Sequence, residues 1–275
     1  VIYLSDHGEM LGSHGGMFQK WHNAYDEILK VPFIFHNPTL FDRAQESEIL
    51  TSHADLIPTM LGLAGLDEAV LARELRSTHT QVRRLVGRDL SGVLLGEEPD
   101  AKFNSDPVYF MSDDQPSKGD NPVSQLGTSY QPVQQPNCVE TVVTYLPTGP
   151  AGTKERWKFT RYWDNPQTWT TPGVQDVQTF VPGLVNQPGN RVATTTVKAA
   201  SPTAGQIAPP PDQFELYNVT VDPTEMTNLY ANTAFTATLK IMQALLQAER
   251  VAKRLDPVTK PWADGTAQVL PFIPS

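Results

Sequence analysis

Four apolar, β-prone residues, Val1 to Leu4, run directly into Ser5-Asp6-His7-Gly8, so a strand ends on a carboxylate and an imidazole with a glycine behind them. In open α/β sheets the C-terminal ends of strands are where ligands gather. Oxygen from Asp6 and nitrogen from His7 suit a divalent cation, and calcium, magnesium, manganese and zinc all fit that donor pair. Gly8 lets the chain turn sharply after it. The strand has no cap, initiating Met or turn signal before it, and the expectation is that these residues are the downstream part of a longer protein.

The next residues add charge. Lys20 lies in a polar, Gly-punctuated loop, and a lysine beside a metal can hold a tetrahedral oxyanion as a compact point charge. A solvated surface lysine is the alternative. His14 and His22 flank it, each able to donate to a substrate oxygen or act as a general acid, or to sit in the loop bonded to backbone. Glu9 is read as orienting the loop.

Composition excludes several classes. Across 275 residues, 30 acids against 21 bases give a net charge of -9, the wrong sign for neutralising nucleic-acid phosphates. The single cysteine, Cys138, rules out an internal disulfide framework and a Cys-based structural zinc site. No apolar run is long enough for a transmembrane helix. Asn218-Val219-Thr220 fits the glycosylation acceptor pattern, which matters only in a eukaryotic secretory pathway.

From residue 1 to 106 short apolar runs alternate with helical stretches, as in an α/β layer structure. VIYLS and VPFIFH read as buried strands, with AYDEILK between them as a short helix or turn ended by Val31-Pro32. In SHADLIPTMLGLAGL, Ser52 is the expected N-cap, Leu56, Ile57, Met60, Leu61 and Leu63 the apolar face, and Gly65 the stop. A polar helical stretch is expected from Glu68 to about Val86, then a loop and short helix in GRDLSGVLLG. From residue 107 to 275 a second region is expected. CVETVVTYL and RWKFTRYW read as strands between long Pro/Gln/Ser-rich loops, and FELYN is a strand before a turn at Asp222-Pro223. TATLKIMQALLQAERVAKRL is an amphipathic helix with Leu239, Met242, Leu245, Leu246 and Ala252 on or near one face.

SDHGEMLGSHG, then Lys20, then AYDEILKVPFIFHNP, resembles the sulfatase family within the alkaline phosphatase superfamily. TSHADLIPTMLGLAGL, VGRDLSGVLLGE, ERWKFTRYW and FELYNVTVDPTEMTNLY look like further segments of that family, in its order. The resemblance implies an α/β fold, part of a mixed-sheet α/β/α core, followed by a smaller subdomain with an antiparallel sheet and a packing helix. It implies Asp6 and His7 as ligands of a divalent cation, usually calcium, and Lys20 as the residue contacting sulfate. His14 and His22 receive no clear role from it. Residues 107–133 and 170–211 match nothing in the family.

Two family elements do not occur: the Cys/Ser-x-Pro-x-Arg signature whose Cys or Ser becomes formylglycine, and the Asp-Asp pair completing the metal site. In the family both precede the strand with which this sequence starts, and the nucleophile is expected upstream. Cys138, followed by Val139, Glu140 and Thr141, lacks the signature. Three readings stay open: metal-dependent hydrolysis of small-molecule or glycan sulfate monoesters by the intact parent, hydrolysis of phosphonate monoesters or phosphodiesters on the same scaffold, and a non-catalytic fragment or anion-binding module.

Overall fold

The computed structural model describes residues 1–17, 20, 23–80, 82–113, 138–163, 176–180, 194–198 and 212–253. Strand β1 (Ile2–Leu4) pairs antiparallel with β2 (Phe33–Phe35), Ile2 opposite Phe35 and Leu4 opposite Phe33. The two-residue period puts Tyr3 and Ile34 on the exposed face and leaves the other four half-buried, so neither strand is buried as its composition suggests, because one face of the pair is uncovered. Between the strands lie α1, a helical turn at Ser13–Gly16 with left-handed backbone at His14 and Gly15, and α2 (Asp26–Leu29). Helix α2 stops where Val31-Pro32 forces extended backbone, and it buries Ile28.

Helix α3 (Leu56–Leu63) grows out of a 3₁₀ turn over His53–Asp55. Ser52 caps that turn as expected. Its hydroxyl accepts from the Ala54 amide at 3.3 Å, and Asp55 accepts from the Ser52 amide at 3.0 Å, a reciprocal capping box. The buried face is not the expected one. Pro58 and Thr59 are buried, whereas Ile57 and Met60 are 56% and 47% exposed. A polar clamp chooses the face: Asp55 accepts from the Arg88 amide and Nη2, both at 2.7 Å, and Thr59 Oγ1 accepts from the Leu90 amide at 3.1 Å. Gly87 allows this approach, since a Cβ there would meet the Ala54 carbonyl oxygen at 1.9 Å.

Helix α4 (Glu68–Leu75) is shorter than the stretch to Val86 that its composition suggests. The hydroxyls of Ser77 and Thr78 donate to the carbonyls of Glu74 and Leu75, an alternative to continuing the helix. Helix α5 (Ser91–Leu94) follows, and Gly96 leaves it with a φ of 73°. Ile49, Leu90 and Phe103 form a buried cluster here, with Val93 against it.

A four-stranded antiparallel sheet has the order β3-β4-β5-β8, with β3 at Val108–Asp113, β4 at Cys138–Leu146, β5 at Glu155–Trp163 and β8 at Gln213–Asn218. Strand β3 went unread in the sequence, although Val108-Tyr109-Phe110 is β-branched and aromatic. Residues 138–144 of β4 and 157–163 of β5 are buried without interruption. The polar side chains among them are therefore paired inside: Thr141 Oγ1 donates to the Phe159 carbonyl at 2.9 Å and lies 2.8 Å from Thr160 Oγ1. Strands β6 (Asp176–Phe180) and β7 (Thr194–Lys198) pair antiparallel within a stretch that composition alone presented as loop. Helix α6 (Thr236–Lys253) buries Thr238, Met242, Leu246 and Arg250 at four-residue spacing. Leu239, Leu245 and Ala252 of the expected face are half-buried beside them.

By backbone contacts the chain forms two units. One comprises Val1–Phe110, Thr141–Thr160 and Glu215–Ser275, and the other Met111–Glu140 and Arg161–Phe214. In the second, Arg161 is paired with Glu140 at 3.2 Å and Asp212 at 2.7 Å, with its guanidinium 4.9 Å from the Trp163 ring. Among the described residues no helix is long and apolar enough to cross a membrane.

Candidate active-site segment

The strand-end pair lies just beyond β1. Asp6 points outward, its side chain 85% exposed, and its Oδ2 is 3.4 Å from His7 Nε2. His7 Nδ1 is 2.6 Å from the Gly8 carbonyl oxygen. A carbonyl only accepts, so Nδ1 carries the hydrogen and Nε2 is the ring nitrogen turned towards the Asp6 carboxylate. This is how a neighbouring carbonyl fixes a histidine for metal ligation. Burial acts to raise the Asp6 pKa, but the charge of His7, the His7 and Asp6 amides and the charge of Lys20 outweigh it and hold the carboxyl below its usual range. A carboxylate oxygen beside a histidine ring nitrogen is a donor pair that fits a divalent cation. Among the described residues no group of three or more His, Cys, Asp or Glu side chains converges to hold a metal, so Asp6 and His7 stand as a pair.

The turn is held on both flanks. His53 Nε2 lies 2.7 Å from the Ser5 carbonyl oxygen, and the Gly8 amide donates to the Ile28 carbonyl of α2 at 2.8 Å. Ser5 Oγ donates to the His7 carbonyl at 2.8 Å.

His14 adopts a φ of 50° and stacks on Tyr25, ring centroids 3.8 Å apart, with its Nε2 3.6 Å from Glu27 Oε1. Its partners are thus residues on and beside α2. Lys20 contributes its charge at Asp6, which brings it into the same electrostatic neighbourhood, and Asn23 Nδ2 donates to its carbonyl at 3.3 Å. His22 lies outside the described residues. Glu9 is exposed, and Cys138 is buried in β4.

The segment leading into α2 has partners that sequence reasoning did not identify. Lys158 of β5, 1% exposed, donates to the Ala24 carbonyl at 3.0 Å and to Asp26 Oδ1 at 2.5 Å, and is paired with Glu225 Oε1 at 2.8 Å. Glu225, 1% exposed, accepts from the Asp26 amide at 2.7 Å, and Arg156 pairs with Asp26 Oδ2 at 2.7 Å. The Tyr25 hydroxyl donates to Glu215 at 3.0 Å. Burial, reinforced by the Glu215 charge, raises the phenol pKa values of Tyr25 and Tyr217. The available signal was an acid in each of two motifs, AYDEILKVP and DPTEMTNLY, with an unmatched lysine in RWKFTRYW. A cleft of about 670 Å³ lined by residues including Leu29, Phe33, Phe35, His53 and Tyr145 also lies in this unit, and Asp6, His7 and Lys20 do not line it.

Residues 1–66 match the family model described as Sulfatase. An uncharacterized sulfatase, YidJ, of Escherichia coli is 41% identical over 68 residues, covering 25% of this chain and 13% of the relative. The Delta 4,5-hexuronate-2-O-sulfatase of Bacteroides thetaiotaomicron is 37% identical over 68 residues, covering 24% of this chain and 14% of the relative. Likeness of fold extends much further. A structure solved in complex with its substrate D-glucosamine-2-N,6-O-disulfate superposes with a TM-score of 0.53 and 17% identity, over 92% of this chain and 34% of the other. The phosphonate monoester hydrolase of Agrobacterium radiobacter gives a TM-score of 0.50 and 16% identity over 91% and 34%. The chain thus spans about a third of the solved structures whose fold it shares. The family-model match and the relatives thus show that residues 1–66 are similar to sulfatases in sequence, and the likeness of fold extends over about nine-tenths of the chain.

Proposed function

We propose that the chain supplies part of the active site of a sulfuric ester hydrolase, with Asp6 and His7 as ligands of a divalent cation and Lys20 as the cationic contact to the sulfate group. The observation that carries the reading is the His7 ring held by its Nδ1 on the Gly8 carbonyl, which places Nε2 3.4 Å from Asp6 Oδ2. Calcium is the ion that the family resemblance implies, and magnesium, manganese and zinc are chemically compatible with the Asp-His donor pair. When bound, the ion supplies Lewis-acid charge to an ester oxygen. Lys20 neutralises the developing oxyanion as a point charge. His14 and His22 are the weaker candidates for contacts to the substrate. Support for a sulfated sugar as substrate comes from the substrate in one fold neighbour and the hexuronate sulfatase among the relatives.

The test is hydrolysis of an aryl sulfate by the protein carrying this sequence, beside Lys20→Ala and Asp6→Ala variants. Removing one oxyanion contact is expected to lower kcat by about 10²-fold or more. Undiminished turnover in both variants would overturn these roles. A higher kcat/KM for a phosphodiester than for the sulfate would move the assignment to phosphonate monoester or phosphodiester hydrolysis on the same scaffold. Absence of calcium binding and of turnover would leave an anion-binding or non-catalytic role.

A further inference from the structure

We propose that Asp26, Lys158 and Glu225 are positioning residues that set the Asp6-His7-Gly8 turn from β5 and from the turn after β8. The contact path is continuous. Glu225 accepts from the Asp26 amide and pairs with Lys158, and Lys158 reaches both the Asp26 carboxylate and the Ala24 carbonyl. These bonds fix the entry to α2 at its side chain and at its main chain. The carbonyl of Ile28 in that helix then accepts from the Gly8 amide, directly after the two proposed ligands. Tyr25 on the same segment stacks on the His14 ring, and Glu27 Oε1 lies 3.6 Å from its Nε2.

Helix α2 is four residues long, too short to stand without outside support. The support it receives is electrostatically demanding. Lys158 and Glu225 are almost fully removed from water, and Glu225 holds a left-handed φ of 53°, which is uncommon for a residue with a side chain. Well-packed apolar residues of similar volume commonly give equal or better stability than a buried ion pair, so stability alone does not account for this arrangement. Directional bonds to one amide, one carbonyl and one carboxylate specify where the segment sits, which apolar packing would leave looser. A ligand pair exposed at a strand end needs such a fixed backing, because the residues behind a ligand set its orientation and affinity.

The inference rests on the cation reading for one arm of its test and is independent of it in the other. Calcium titration of the full 275-residue chain by calorimetry is paired with hydrogen exchange of the peptide containing the Gly8 amide. Glu225→Gln is expected to weaken calcium binding about tenfold, the low end for loss of a residue backing a ligand, and to speed Gly8 exchange. Glu140→Gln, which breaks the buried pair with Arg161 in the other unit, serves as the control. It is expected to lower the melting temperature while leaving calcium affinity and Gly8 exchange at wild-type values.

Asp26→Asn probes the same path at a less buried position and replaces Glu225→Gln if that variant fails to fold. Faster Gly8 exchange in the Glu225 or Asp26 variant, with the control unchanged, supports the positioning role even if the wild-type chain binds no calcium; that second result would overturn the cation reading alone. Wild-type Gly8 exchange in variants with lowered melting temperature would overturn the inference. Unchanged calcium affinity beside measurable wild-type binding would overturn it as well.

Discussion

A Cβ built on Gly8 would lie 1.8 Å from the carbonyl oxygen of Glu27. The third residue of the Asp-His-Gly motif is thus a site of close backbone approach, and the main chain of α2 occupies the space where a side chain would begin. Gly8→Ala must push α2 away and break the Gly8-to-Ile28 hydrogen bond. The expected cost is about 1–3 kcal/mol, the usual range for overpacking, measured by urea denaturation. Stability equal to wild type would mean that α2 moves without resistance.

Asp55 and Arg88 give a second prediction. Asp55 is fully buried, closes the capping box with Ser52 and receives the Arg88 guanidinium, which also donates to the Leu50 carbonyl at 2.6 Å. Asp55→Ala leaves Arg88 without its main counter-ion and uncaps the turn leading into α3. A loss of about 3–5 kcal/mol is expected, the range for breaking a buried pair from one side. Asp55→Ala combined with Arg88→Met should recover part of that loss in the same denaturation experiment. If the double variant is no more stable than the single one, the unpaired guanidinium is not the source of the cost.

Local rules account for what was legible in the sequence. β1, β2, α2 and the capped start of α3 each follow from residues within a few positions of one another, and Asp6 and His7 were visible as a candidate pair because they are adjacent. The buried face of α3 was not, because hydrophobicity would favour Ile57 and Met60 whereas Thr59 is drawn inward by the Leu90 amide. Nor was the bracket behind the site. Asp26 is 132 residues from Lys158 and 199 from Glu225, and no periodicity or propensity pairs charges over such separations. Lys158 in a strand pattern reads as an outward-facing residue until its neighbours show that both faces of β5 are covered.

Tyr25 and Tyr217 provide a spectroscopic prediction. Burial pushes both phenols well above the ordinary value, and the Glu215 carboxylate adds to the effect. Both are expected to remain un-ionised in an alkaline titration followed by phenolate absorbance, ionising only as the fold opens. Tyr25→Phe should therefore leave the early part of the titration unchanged. A Tyr25→Phe variant that loses amplitude near pH 10 would show that this phenol is solvated.

Glu225 makes a prediction whose sign runs against the expectation for a simple salt bridge. Burial raises its pKa, and the opposing attraction of Lys158 does not fully offset that. The folded chain therefore keeps a proton over a pH range in which the unfolded chain has released it. The stability contributed by this titration is complete below the unfolded value of about 4.3 and is lost as pH rises through the folded one. Thermal melts of wild type and Glu225→Gln should accordingly show the wild-type advantage greatest at low pH and shrinking as pH rises above the unfolded value. An advantage that grows with pH would mean that attraction to Lys158 exceeds the cost of burial and that the carboxylate is held ionised.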